Sequence, residues 1–218
     1  MLRIVKSASV LLAFFICISV MIEAGAVSAN FQASNQLIKK LEKTKTLSAS
    51  FSQTVKDGKG NLIQQHEGQM WVSRPLKFRW ETQAPSAQQI ISNGTRLWVY
   101  DIDLEQATEQ TLDKKVGNVP GIILSGDPES LTEHFVIQEE TGEGIKFERF
   151  LLTPTDEAAL FNKMILEFDG DKLVTMEFED NLGQKTWVQF KKVILNNKLE
   201  DKLFQFSLPK GIDLVIEE

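Results

Sequence analysis

Residues 68–101 read GQMWVSRPLKFRWETQAPSAQQIISNGTRLWVYD, and the fold is decided here. The stretch carries Trp71, Trp80 and Trp98, three of the chain's four tryptophans, together with its single tyrosine, Tyr100. Leu76, Phe78 and Trp80 alternate with Lys77, Arg79 and Glu81, the period-two pattern of a half-buried strand. Gln88–Ser92 and Arg96–Asp101 flank Asn93-Gly94, a two-residue hairpin signal. One face of this segment is large and aromatic. It is either the side of a packed core or the wall of a space that holds an apolar ligand.

Upstream, the chain starts with an address. Arg3 and Lys6 precede an apolar run from Val10 to Ile22 broken only by Ser19, and Val27-Ser28-Ala29 offers the small residues a signal peptidase reads. The run is shorter than the roughly 20 residues a membrane-spanning helix needs. Residues 1–29 are therefore expected to be a cleaved signal peptide and 30–218 the mature domain. The one cysteine, Cys17, leaves with the signal, which implies no disulfide and no lipid anchor. Losing Arg3, Lys6 and Glu23 takes the net charge from −6 to −7. Acidic and basic residues are interspersed, so nothing suggests nucleic acid, and no second long apolar run suggests stable insertion in a membrane.

The mature chain opens with a helix, for which Ser34 is the expected N-cap and Leu37, Ile38 and Leu41 the buried side. Ala49, Phe51, Gln53 and Val55 then share a strand face, Asp57–Asn61 reads as a turn, and Leu62–Val72 returns as a hairpin partner. Leu104–Leu112 reads as another strand. In Val116–Gly126, Pro120 suits the first turn of a short helix and Gly126 its end. That helix is apolar nearly all round, so it must cover something. Alternation resumes in Phe135–Gln138, Ile145–Thr153, Lys163–Phe168, Lys172–Glu179, Lys185–Val193 and Leu203–Ser207. About eleven short strands with tight turns predict one mainly β domain, an antiparallel sheet curled into an open or closed barrel.

Reactive chemistry is sparse. His66 and His134 have no metal-ligand spacing, and His66 reads as a solvated or hairpin-paired strand residue. There is no GxSxG elbow, P-loop or GxGxxG. Asp101-Ile102-Asp103-Leu104-Glu105 and Asp169-Gly170-Asp171 read as strand-end and turn carboxylates, too few for a calcium site. Neither catalysis nor a cofactor nor a bound metal is expected. For the aromatic face, a sheet too large for side chains alone to fill and an apolar lid both argue for a cavity.

WVSRPLKFRW, the Asn-Gly turn of IISNGTRLWVYD, LEQAT, the GNVP that opens the short helix and the closing FQFSLPKGIDL together resemble the LolA family, the periplasmic lipoprotein carriers of Gram-negative bacteria. Each motif is weak alone; their order and spacing over nearly the whole mature chain carry the resemblance. It implies an unclosed (half-open) antiparallel β-barrel capped by short α-helices that form a lid over a hydrophobic cavity. The implied activity is that of a periplasmic chaperone without enzymatic function. Such a carrier accepts triacylated lipoproteins from an inner-membrane ABC transporter of the LolCDE kind and delivers them to an outer-membrane receptor of the LolB kind. It is expected to act as a monomer.

By the same resemblance Phe78 and Trp80 line the cavity, and Phe51, Trp71, Ile90, Trp98, Met164 and Phe178 are expected to complete its acyl-binding wall. Arg74, the arginine before proline, is expected to hold a lid formed by Pro120, Ile122, Ile123 and Leu124. Gly121 stands where a bulky apolar residue is expected, so this lid is expected to close less firmly or hold cargo differently. Three other readings remain: an anchored receptor of the same fold, for which a lipidated cysteine is lacking; a lipoprotein- or lipid-sensing binding protein of that fold; and an exported lipid hydrolase.

Overall fold

The computed structural model describes residues 29–112 and 120–217. The signal-peptide reading, Cys17 and Gly117–Val119 fall outside the described residues. Twelve strands form one sheet in the order β12-β6-β5-β4-β3-β2-β1-β11-β10-β9-β8-β7. They are β1 Thr46–Lys56, β2 Leu62–Ser73, β3 Lys77–Thr82, β4 Gln88–Asn93, β5 Arg96–Asp101, β6 Gln106–Thr111, β7 Phe135–Glu140, β8 Glu148–Pro154, β9 Phe161–Asp169, β10 Lys172–Asp180, β11 Lys185–Leu195 and β12 Asp213–Glu217. The two end strands, β12 and β7, do not pair with each other, so the sheet curls without closing.

Alternation explains which way the strands face. On β1, Leu47, Ala49 and Phe51 are buried, and their cross-strand partners Val72, Met70 and Gly68 on β2 share that face. The same inner face continues through Phe150 and Leu152 on β8, Met164, Leu166 and Phe168 on β9, Met176 on β10, and Val188 and Phe190 on β11. Helix α1 (residues 29–43) covers one part of it, because Ala33, Leu37 and Leu41 recur every four residues and all three are buried. Lys40 anchors the helix by donating to the Gly170 carbonyl at 2.7 Å and pairing with Glu148. Two short helices follow β6: α2, Pro120–Ser125, and α3, Leu131–His134, of which Ile123, Leu124 and Leu131 enter the core.

Three expectations are corrected. Ser34 does not cap α1; the helix already runs at residue 29, and the Ser34 hydroxyl donates to the Asn30 carbonyl at 2.8 Å, one turn back. Leu203–Ser207 is not a strand but a 3-10 turn, Asp201–Phe204, followed by extended chain. A further strand that was not expected, β12, lies beyond it and pairs parallel to β6, so the sheet is not wholly antiparallel as expected. Of the two readings of His66, the hairpin-paired one holds: it is buried opposite Gln53 in the β1–β2 hairpin.

The 3-10 turn works as a strap across the outer face of β3–β5. Phe204 is buried, Phe206 stacks on Trp98 at 5.9 Å and lies 5.8 Å from Tyr100, and Arg79 donates to the Leu203 carbonyl at 3.2 Å. These three strands are thus covered on both faces.

Candidate functional site

The inner face holds a cavity of about 190 Å³. Phe78, Trp80, Ile90, Met176, Phe178 and Val188 supply its apolar wall, Gly121 of α2 its cover, and Gln53, Thr82 and Gln88 its polar portion. Among the residues expected on the wall, Phe78, Trp80, Ile90 and Phe178 are therefore there. Phe51 stands behind Trp80, its ring stacked on the indole at 4.0 Å and 28°, and Phe190 meets the same indole edge-on at 6.3 Å. Met164 is fully buried on the inner face opposite Phe178, in the packed layer.

Trp71 and Trp98 are elsewhere. Trp71 pairs with Arg79 and Trp98 with Ile91 and Glu109, positions of the opposite parity to Phe78 and Trp80, so both tryptophans lie on the outer face. Trp98 donates its indole N–H to Glu109 at 2.9 Å under the C-terminal strap. Their expected place on the cavity wall is corrected accordingly. Their parity was already readable: Met70 and Val72 are the apolar neighbours that set the inward face of β2, and Trp71 sits between them. Gln53, Met176 and Val188 were missed as wall residues because single residues in long alternating strands give no local sign of which end of the face stays open.

Gly68 makes the aromatic wall possible. A Cβ built there would stand 2.4 Å from Phe51 Cζ, so only a glycine lets the Phe51 ring lie across β2 and reach Trp80. Gly121 acts similarly in the lid. A Cβ on it would meet Phe78 Cδ2 and Cε2 at 2.9 Å, and both residues are buried. The missing side chain lets the α2 backbone seat directly on the Phe78 ring and leaves the cavity beneath unfilled, a close fit that bears on both expectations for Gly121, a looser lid or a different hold on cargo. A Gly121→Ala variant is expected to lose about 1–3 kcal/mol of the closed state through this overlap. Faster hydrogen exchange at the Leu124 amide, with little change in global melting, is the measurement; unchanged exchange would refute the close fit.

Arg74 ties the lid down. Its Nε donates to the Thr44 carbonyl at 3.0 Å, just past α1, and its Nη1 donates to the Gly126 carbonyl just past α2. The backbone adds a third tie, Leu76 N–H to the Ser125 carbonyl at 2.7 Å. Leu76 sits in the left-handed region at φ 61°, which a leucine adopts only where its surroundings hold it. Ser92 does so from the neighbouring strand, its hydroxyl donating to the Leu76 carbonyl at 2.7 Å. Ile123 and Leu124 pack into the core, while Pro120 opens α2 and Ile122 lies within it.

Burial brings the Arg74 guanidinium down to about 10, and Asp127 nearby opposes that shift. The folded value lies below the ordinary arginine value, so the buried charge costs stability at every pH below about 10, and the cost is relieved only as pH rises above that. Between pH 6 and 9 the guanidinium stays charged. Lid exchange measured over that range is expected to show no titration from Arg74; a midpoint there that vanishes in Arg74→Leu would contradict this.

Among the described residues no His, Cys, Asp or Glu cluster could hold a metal ion, and no helix is long and apolar enough to cross a membrane.

Comparison with known proteins adds a family. The sequence profile of "Outer membrane lipoprotein carrier protein LolA" matches residues 42–207. The outer-membrane lipoprotein carrier protein of Pseudomonas aeruginosa is 40% identical over 177 residues, 81% of this chain and 84% of that one. That of Chromohalobacter salexigens is 37% identical over 177 residues, covering 81% and 83%. In structure, an uncharacterized conserved protein from Thermus thermophilus aligns with a TM-score of 0.53 at 12% identity, over 84% of this chain and 98% of that one, a likeness of fold.

Proposed function

The chain belongs to the LolA family of outer-membrane lipoprotein carrier proteins, and we propose that it carries triacylated lipoproteins across the periplasm with their acyl chains under the α2 lid. In this reading it loads from an inner-membrane ABC transporter and unloads to an outer-membrane receptor, as a monomer and without chemistry of its own. The observation that supports it most is a largely apolar cavity covered by an apolar helix, with one buried arginine hydrogen-bonded to the carbonyl just past that helix.

The size of the cavity bears on how it would work. About 190 Å³ is below the roughly 300–1,000 Å³ of sites that enclose a drug-sized ligand, so acyl chains enter only if the lid moves. Each methylene taken from water is worth about 0.8 kcal/mol, and full burial of a long chain exceeds about 10 kcal/mol, too much for prompt release. Opening breaks the Arg74 contacts and uncovers Ile123 and Leu124, which offsets part of that gain. Transfer then needs only a receptor with a somewhat better pocket.

The test is extraction. Residues 30–218, added to inner-membrane vesicles holding the transporter and ATP, are expected to bring an acylated lipoprotein into solution and to change the fluorescence of Trp80. Absence of extraction under these conditions would refute the carrier reading. Esterase activity accompanying intact acyl-peptide binding would favour the hydrolase instead.

A further inference from the structure

The inner face is not uniformly apolar. Across β1–β5 one cross-strand row reads Ala49, Met70, Trp80, Ile90, Val99; the next reads Phe51, Gly68, Thr82, Gln88, Asp101. One step further along β1, past the end of β3, Gln53 faces His66. The cavity therefore passes from Phe78 and Trp80 beneath the lid to Gln53, Thr82 and Gln88 at its other end, and none of its lining residues is charged. Thr82 is already engaged: its hydroxyl accepts from the Gln88 amide at 3.0 Å and donates to the Ser86 carbonyl at 3.1 Å. This fixes the Gln88 backbone. The side-chain amides of Gln53 and Gln88 make no hydrogen bond with any other described residue. Beside Gln53, His66 is only 9% exposed and its Nδ1 is buried without a partner. Buried polar atoms are almost always paired, so the unpaired Nδ1 of His66, which adjoins Gln53 but stands outside the cavity lining, together with the half-buried Gln53 and Gln88 amides at the cavity's end, marks a place for a polar group of a ligand.

We propose that Gln53 and Gln88, with His66 beside them and Thr82 holding Gln88 in place, form a headgroup subsite for the uncharged ester and amide carbonyls that join acyl chains to the cargo's cysteine. Resting on the carrier reading, the proposal adds a basis for choosing lipoproteins over bulk lipid. A glutamine amide donates to a carbonyl at little cost. A phospholipid with the same two ester-linked chains carries a phosphate one carbon beyond them, and here that anion would be desolvated with no lysine or arginine in the lining and Asp101 in the same row. The subsite accepts the neutral linkage and rejects the anion.

The test compares three probes on the mature protein by Trp80 fluorescence: a triacylated cysteinyl peptide, phosphatidylglycerol with matching acyl chains, and a pyrene-labelled alkane without carbonyls. The parent is expected to bind the lipopeptide at least tenfold more tightly than phosphatidylglycerol. The near-isosteric pair Gln53→Leu/Gln88→Leu is expected to lose lipopeptide affinity about tenfold, as for two lost hydrogen bonds, while keeping the alkane. Gln88→Lys is expected to raise phosphatidylglycerol binding. Equal binding of lipopeptide and phosphatidylglycerol by the parent, or parental lipopeptide affinity in the leucine pair, overturns the proposal. A parallel loss of lipopeptide and alkane overturns it too, since it assigns the glutamines to the fold. In each of these cases lipoprotein extraction by the parent persists, whereas failure of the carrier reading removes extraction itself.

Discussion

A Gly68→Ala variant is expected to melt roughly 6–12 °C below the parent, the shift that about 3 kcal/mol of overpacking produces in a domain of this size. The methyl group would stand 2.0 Å from the Glu81 carbonyl oxygen as well as 2.4 Å from Phe51 Cζ. The first neighbour is backbone in a paired strand and has nowhere to go. The second can retreat only by abandoning its stack on Trp80, so the loss of stability should come with a changed near-ultraviolet circular dichroism signal. Gly58→Ala is the control: its nearest neighbour would be 3.5 Å away, and its melting should stay within about 0.5 kcal/mol of the parent. Equal melting of the two variants would show that β2 does not need a bare backbone at residue 68.

Arg74→Leu is expected to hold cargo about 30-fold more tightly than the parent and to pass it on correspondingly more slowly. Two charge-assisted hydrogen bonds, to the carbonyls of Thr44 and Gly126, hold the guanidinium between the ends of α1 and α2, and both are expected to break when the lid opens. Against them stands the desolvation that brings the guanidinium to about 10, worth roughly 3 kcal/mol. The net gain expected from closing is therefore modest, about 2 kcal/mol, and in the carrier reading proposed above re-forming this latch of bonds would favour the emptied state. Whatever the latch adds to the empty form it removes from cargo affinity, which sets the factor of about 30. The readout is the rate at which a loaded carrier gives lipoprotein to receptor-bearing membranes. Transfer at the parental rate would exclude Arg74 from the release step.

Much of this was legible in residue order, and the failures have physical causes. Period-two alternation located β1 to β5 and β7 to β11, because a sheet with one covered face leaves that pattern. Pro120 marked the start of α2, since a proline costs nothing in a first turn. Trp71 was misplaced although Met70 and Val72 on either side of it set the inward face of β2, whereas the misplacement of Trp98 arose where the pattern breaks down. With the strap lying across β3–β5, both faces of those strands are covered and large residues occur on both parities. The strap was misread because Leu203–Ser207 alternates like a strand, and β12 went unread because Asp213–Glu217 is exposed at the sheet edge and carries no burial pattern. Gly121 was read by what it lacks; only its distance to Phe78 shows that the lack is a close fit. No local sequence signal could have paired Gln53 with His66 and Gln88, since their proximity comes from register across four strands.

The position of β1 in the middle of the sheet has a consequence for how the chain acquires its shape. Strands β2 to β6 follow β1 in sequence and stack against one of its edges, each beside its predecessor, so half of the sheet can zip up from short-range hairpins. The other edge of β1 must wait for Lys185–Leu195, so Phe51 meets Phe190 only when nearly all the chain is free to fold. Until then Thr46–Lys56 presents a bare row of amides and carbonyls beside an uncovered aromatic wall, a template for mispairing with other chains. A protein that shields other polypeptides' grease would thus spend its own first moments in need of the same shielding, and its yield on export should depend on general holding chaperones more than on its final stability.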